Sequence, residues 1–145
     1  MEFAVDSNLL VYASNPTAPF HQITVTAISK LLGRGDSLYI FPQNLVEFWV
    51  TSTRPVSANG LGLSIAQAEA ELIKIKGSFE LLTEGAAIYA ELEELVVKHN
   101  VLGKNVHDAR IVAQMVVHGI DNILTFNSKD FKRFTNITAL DPSSV

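Results

Sequence analysis

The sequence predicts a three-layer α/β/α domain built on a mostly parallel central sheet. Short apolar runs suited to strands (Phe3–Val5, Leu38–Phe41, Phe79–Leu82, Ile123–Thr125 and Ile137–Leu140) alternate with longer segments whose apolar residues recur at helical spacing. Each parallel strand pair needs a crossover of about a dozen residues or more, and the helical segments supply it. With 145 residues, 48% apolar and 18% charged, the chain has one domain's worth of core, so residues 1–145 are read as a single domain.

The first strand, Phe3–Val5, stops at the polar trio Asp6-Ser7-Asn8, where Asp6 and Asn8 are placed to cap a following helix. Ile23, Ala27, Ile28, Leu31 and Leu32 give one face of a helix from about Phe20 to Leu32, with Gly33 as its stop. Pro42 ends the second strand, Leu45 to Val50 reads as a helix, and Arg54-Pro55 with Asn59-Gly60 and Gly62 marks an irregular loop. Ser64-Ile65-Ala66-Gln67 has the Ser-x-x-Gln form of a capping box, opening a helix to about Lys76 that Gly77 ends. After the strand at 79–82, Ile88, Leu92, Leu95 and Val96 define a helix ending near His99. Asp108 to His118 is helical, with Ile111, Val112, Met115 and Val116 inward and Gly119 as the stop. The strand Ile123–Thr125 runs into a turn, Phe126 to Phe131, before the last strand.

Composition excludes several classes of function. There is no cysteine, hence no disulfide framework, thiolate zinc site or cysteine nucleophile. No apolar stretch is long enough for a membrane span, and Met-Glu-Phe-Ala-Val-Asp lacks the marks of a signal peptide, so a soluble, cytoplasmic protein is expected. A net charge of −4 does not advertise a nucleic-acid binder, but the charge is uneven. Glu69 to Glu94 carries seven acids against Lys74 and Lys76, whereas Lys98 to Arg133 carries Lys98, Lys104, Arg110, Lys129, Lys132 and Arg133 against Asp108, Asp121 and Asp130. Only the second region suits a polyanion.

Four acids occupy positions where chemistry is expected. In open parallel sheets the ligand crevice lies beyond the carboxyl ends of the strands, where Asp6 and the Thr125–Asp130 segment fall. Glu47 interrupts the apolar run Leu45-Val46-Phe48-Trp49-Val50, and Asp108 opens an otherwise apolar helix. Each has a plainer alternative: Asp6 as a cap, Glu47 turned to solvent, Asp108 favouring a helix dipole, Asn127 and Asp130 as turn formers. Taken together they are more specific. Carboxylates brought within roughly 4 Å repel by about 4 kcal/mol per pair at an effective dielectric of 20, which only cations or protons relieve. Oxygen donors without cysteine or paired histidine select a hard ion, Mg²⁺ or Mn²⁺, of the kind that meets substrate phosphates. His21, His99, His107 and His118 are isolated in sequence and read as structural or surface residues.

These residues stand in strings that resemble the acidic blocks of PIN-domain nucleases, most closely VapC-type toxins of toxin-antitoxin pairs. The strings are Phe-Ala-Val-Asp-Ser-Asn-Leu-Leu at 3–10, Leu-Val-Glu-Phe at 45–48, Val-His-Asp-Ala-Arg-Ile-Val-Ala at 106–113 and Ile-Leu-Thr-Phe-Asn-Ser-Lys-Asp-Phe at 123–131. The resemblance implies an α/β/α fold and a divalent-metal-dependent endoribonuclease, usually a homodimer, held inactive by a small antitoxin. It implies that Asp6, Glu47 and Asp108 are the first three acids. Members of the family differ in placing the fourth where Asn127 or Asp130 stands here, and of the two Asp130 brings the missing charge. Ser7 and Thr125 match hydroxyl positions that support the acids.

The implied mechanism is metal-assisted hydrolysis of RNA, with Asp6, Glu47, Asp108 and Asp130, and Asn127 through its side-chain oxygen, around one or two Mg²⁺ or Mn²⁺ ions. Lys104, Arg110, Lys129, Lys132 and Arg133 are candidates for guiding the RNA backbone. An aspartyl-phosphate phosphatase is set aside because Asn8 stands where its second acid belongs, and a receiver-like domain because neither strand 38–41 nor strand 79–82 ends in the needed aspartate. The alternative is a degenerate module of the same fold that binds RNA or protein without cleaving, for which Asn127 is the foothold.

Overall fold

Phe3-Ala4-Val5 is apolar without interruption because the strand it forms is covered on both faces. In the computed structural model, which describes residues 1–145, strand β1 (Glu2–Val5) lies at the centre of a five-stranded sheet. Its neighbours are β2 (Ser37–Ile40) and β4 (Asn122–Leu124), and the edges are β3 (Glu80–Leu81) and β5 (Thr138–Leu140). All pairings are parallel, in the order β3-β2-β1-β4-β5, with Phe3 opposite Leu38 on one side and Asn122 on the other.

The connections carry the helices. Helices α1 (Ser7–Ala13) and α2 (His21–Gly33) join β1 to β2, and α3 (Pro42–Thr53) and α4 (Ile65–Ser78) join β2 to β3. The chain then returns through α5 (Ala86–His99) and α6 (Val106–His118) to β4, and a short α7 (Ser128–Phe131) leads to β5. The period of two along each strand divides the core into two layers. Phe3, Val5, Leu38, Ile40 and Leu124 pack with Leu9, Leu10, Leu31, Phe48, Leu72 and Ile75 from the first four helices. Ala4 and Ile123 face the opposite layer, with Ile88, Leu95, Ile111, Val112 and Met115 of α5 and α6. No helix is long and apolar enough to cross a membrane.

Most elements lie where the sequence puts them, and the departures have local causes. Helix α4 runs through Gly77, because the stop is the extended backbone of Phe79 (φ −122°, ψ 150°), whose ring is drawn into the core. Gly119 does end α6, at φ 72° in the left-handed region that glycine tolerates. Helix α6 begins at Val106, not Asp108, which places Asp108 in its first turn. The turn after β4 closes into α7, and the strand expected at 79–82 shortens to the edge pair Glu80–Leu81.

The sheet reverses direction between β1 and β4: successive crossovers run outward from β1 to β2 and β3, then come back to add β4 on β1's other side. A crevice opens at the carboxyl ends of strands at such a point. Asn44, fully buried in the first turn of α3, anchors one of its walls. Its Oδ1 accepts from the Phe41 backbone N–H at 2.7 Å, and its Nδ2 donates to the Val5 carbonyl at 3.1 Å and to Ser7 Oγ at 3.0 Å. Asn44→Ala orphans a buried donor and a buried acceptor, and should lower stability by about 2 to 4 kcal/mol in urea unfolding. A loss below about 0.5 kcal/mol would show that this tie is unimportant.

Candidate functional site

Asp6 is the first residue after β1, and its backbone N–H extends the ladder to the Leu124 carbonyl at 3.0 Å. Although it stands at the N-cap of α1, its side chain makes no capping hydrogen bond. Asp6 Oδ2 instead accepts from the buried Thr125 Oγ1 at 2.6 Å, and that hydroxyl accepts from the Asn127 backbone N–H at 2.9 Å. Glu47 is held by a parallel arrangement, in which Oε2 accepts from Ser7 Oγ at 2.5 Å and Ser7 Oγ accepts from Asn44 Nδ2. In both cases an amide N–H orients a hydroxyl, which then has only its own proton to give and gives it to the carboxylate.

Asp6, Glu47, Asp108 and Asn127 line one cavity of about 1020 Å³, together with Asn8, His107 and Arg110. The ion pairs are Met1 N-terminus–Asp36, Arg34–Asp36, Lys74–Glu71 and Arg110–Glu84, none of which includes a carboxylate of the cavity. Burial therefore pushes Asp6 above its ordinary range, opposed by the Thr125 hydrogen bond and reinforced by the charges of Glu47 and Asp130. Burial and then the charges of Asp6, Asp130 and Glu47 push Asp108 up to about 6, with His107 acting the other way. No three acidic or imidazole side chains close on one point as a preformed cage would.

The remaining candidates divide by position. Asn127 faces the cavity, whereas Asp130 is exposed on α7 and does not line it, although its charge reaches Asp6 and Asp108. Lys104, Lys129, Lys132 and Arg133 are exposed and off the cavity wall. Arg110 is on the wall but engaged, donating to Gln43 Oε1 at 3.2 Å and pairing with Glu84. His107, set aside on sequence, also lines the cavity, while His118 binds the Thr83 carbonyl and stacks on Phe41.

Sequence reasoning missed the buried amides. Gln43, Asn44 and Gln114 are all buried, and Gln43 Nε2 donates to Glu47 Oε1 at 2.8 Å. A signal existed: Gln43 stands four residues before Glu47, at the spacing that puts both side chains on one face of a helix. Asn8 carries a further mark, since its Oδ1 is buried without a donor beside the acids. Beside His107 and the paired Arg110, this wall carries the carboxylates of Asp6, Glu47 and Asp108 with amide and hydroxyl oxygens, the oxygen donors that a hard divalent cation takes.

Comparison with known proteins places this geometry in a family. The PIN domain family model matches residues 3–137, which spans Asp6, Glu47, Asp108, Asn127 and Asp130. The chain is 26% identical over 145 residues to Ribonuclease VapC48 of Mycobacterium tuberculosis, covering 99% of each. Its fold matches a chain of the crystal structure of VapBC2 from Rickettsia felis bound to a DNA fragment from their promoter, with a TM-score of 0.72, 19% identity and coverage of 97% of this chain and 98% of that one. It also matches the crystal structure of Mycobacterium tuberculosis VapC20, described as a sarcin-ricin loop cleaving toxin, at a TM-score of 0.68 and 18% identity over 91% and 95% of the two chains. With the family model covering nearly the whole chain and its central parallel sheet carrying the acids at the carboxyl edge, this protein belongs to the PIN domain family.

Proposed function

We propose that the protein is a divalent-metal-dependent endoribonuclease that acts in the cytoplasm as the toxin of a toxin-antitoxin pair. The observation that carries the reading is the cavity itself: Asp6, Glu47 and Asp108 line it, and none of them is ion-paired with a basic residue. The similar VapC48 is named a ribonuclease, and the similar VapBC2 chain comes from a complex described as bound to promoter DNA; both support the reading.

When bound, Mg²⁺ or Mn²⁺ supplies Lewis-acid stabilisation of charge on a phosphodiester and a more acidic water. Asp6, Glu47 and Asp108 would hold the ion, with Asn127 contributing its side-chain oxygen and Asp130 its charge from α7. Thr125 and Ser7 aim the carboxylates by occupying Asp6 Oδ2 and Glu47 Oε2. In this reading the attacking group is water, and the protein's own part is position and charge. Lys104, Lys129, Lys132 and Arg133 lie outside the cavity, where they would meet the RNA backbone beyond the cleaved bond, and Arg110 lies at its wall.

A small antitoxin and a second copy of the chain are the proposed protein partners. A mean hydropathy of +0.23 and the exposed Val46 and Val50 at the cavity mouth support an apolar contact there.

The direct test is cleavage of an RNA pool by size-fractionated protein. Cleavage by the dimer fraction with Mg²⁺ or Mn²⁺, absent in EDTA and lost by at least a hundredfold in Asp6→Asn and Asp108→Asn, is the expected outcome. Full activity in EDTA, or in both variants, would remove the mechanism.

The raised Asp108 predicts a pH dependence without metal. The folded state holds this proton more tightly than the unfolded chain, so stability falls as pH rises from about 4 to about 6 and stays low above. Asp108→Asn should therefore be more stable than the parent above pH 7 in EDTA. The gain is about 1 to 2 kcal/mol after discounting for partial exposure, and it vanishes toward pH 4. Urea unfolding at the two pH values checks it, and a variant no more stable than the parent at either would contradict it.

A further inference from the structure

We propose that Gln43 is a positioning residue that sets the spacing of Glu47 and Asp108, by holding Glu47 and the backbone before Asp108 on a single amide. This rests on the reading of the cavity as a divalent-cation site and goes beyond it by assigning a role to a residue outside the acidic set.

Gln43 Nε2 donates to Glu47 Oε1 at 2.8 Å and to the His107 carbonyl at 2.8 Å. The first partner is an acid of α3, and the second is the residue immediately before the acid of α6. The two acids come from separate crossovers on opposite sides of the sheet, with no direct bond between them, so one buried amide ties the two walls together. On its other side Gln43 Oε1 accepts from Arg110 Nη1 at 3.2 Å and from Gln114 Nε2 at 3.1 Å.

These four bonds use the whole capacity of a glutamine side chain, two donors and two acceptor sites. They also leave only one orientation. Turned over, the amide would set its oxygen against a carboxylate and a carbonyl, and its NH₂ against two donors. Arg110 and Gln114 thus act on Glu47 through Gln43: by claiming the oxygen they present the NH₂ to the acid. Glu47 then has one oxygen held by Gln43 and the other by Ser7, so its carboxylate plane has little freedom. Holding a charged ligand in place before the cation arrives is what a supporting residue does, and loss of such partners costs about 10- to 100-fold in metal affinity.

Glutamate at this position separates positioning from charge. Gln43→Glu preserves length and keeps an acceptor for Arg110 and Gln114, but it sets a second carboxylate against Glu47. If Gln43 mattered only through the electrostatics of the cavity, the added negative charge would tighten cation binding. A positioning role predicts the opposite sign.

The experiment is Mn²⁺ titration by calorimetry on the parent, Gln43→Glu, Gln43→Met and Arg110→Ala, with metal-free thermal unfolding of each. Expected are Mn²⁺ affinities lowered 10- to 100-fold in both Gln43 variants and several-fold in Arg110→Ala, where Gln114 still holds the amide. RNA cleavage by Gln43→Met should recover as Mn²⁺ is raised, which a general loss of structure would not permit. Should the Gln43 variants fail to fold, the partly exposed Arg110 carries the test. Mn²⁺ affinity within twofold of the parent in the folded variants, or tighter binding by Gln43→Glu, would overturn the inference alone. A parent that takes up no divalent ion would remove the cation site itself, and this inference with it.

Discussion

Unbalanced negative charge at the carboxyl edge of a buried sheet is the constraint on which the rest of this molecule depends. Asp6 follows the central strand directly, with no residue between the buried Val5 and the carboxylate, so the acid cannot move away without disturbing the middle of the core. Glu47 and Asp108 are brought to the same cavity from two other elements. Burial first, and the neighbouring acids after it, raise the cost of charging Asp6 and Asp108. A fold that keeps such groups together must hold them by other means.

The means are hydrogen bonds arranged in sequence, each group oriented by the one behind it. Asn44 fixes Ser7 and Ser7 fixes Glu47, while the Asn127 backbone fixes Thr125 and Thr125 fixes Asp6. The same residues also tie secondary structure together: Asn44 binds the end of β1 to the start of α3, and Thr125 stands where β4 ends. Strand order matters here. Only because β4 returns to pair with β1 does Thr125 arrive beside Asp6, 119 positions away in the chain. Packing, topology and the site's electrostatics are therefore one arrangement.

Much of the fold was legible in the sequence because the signals were local. Apolar runs marked the strands, Ser64 and Gln67 form the capping box their spacing suggested, and Gly119 ends its helix. The acids stood out because a charge in an apolar run is conspicuous. Gln43, Asn44 and Gln114 did not, because a neutral amide carries no such contrast and its value lies in partners up to 71 residues away. The fourth acidic position shows the same limit. Asp130 and Asn127 are three residues apart, and whether a side chain faces the cavity depends on the short helix α7, which begins between them and which the turn residues alone did not foretell. Arg110, legible as a basic residue near the acids, is engaged by Gln43 and Glu84, neither of which is near it in sequence.

If the cavity is held together against its own charge, a divalent ion should stabilise the folded chain in a way that monovalent salt does not. Thermal unfolding followed at pH 7.5 and constant ionic strength, with Mn²⁺ or Mg²⁺ added against NaCl, measures this directly. The account predicts a saturable rise in melting temperature with the divalent ion, equivalent to about 2.7 kcal/mol at one hundred times the dissociation constant, and its loss in Asp6→Asn. A melting temperature that does not move with either ion up to tens of millimolar, or one that rises equally in Asp6→Asn, would contradict it.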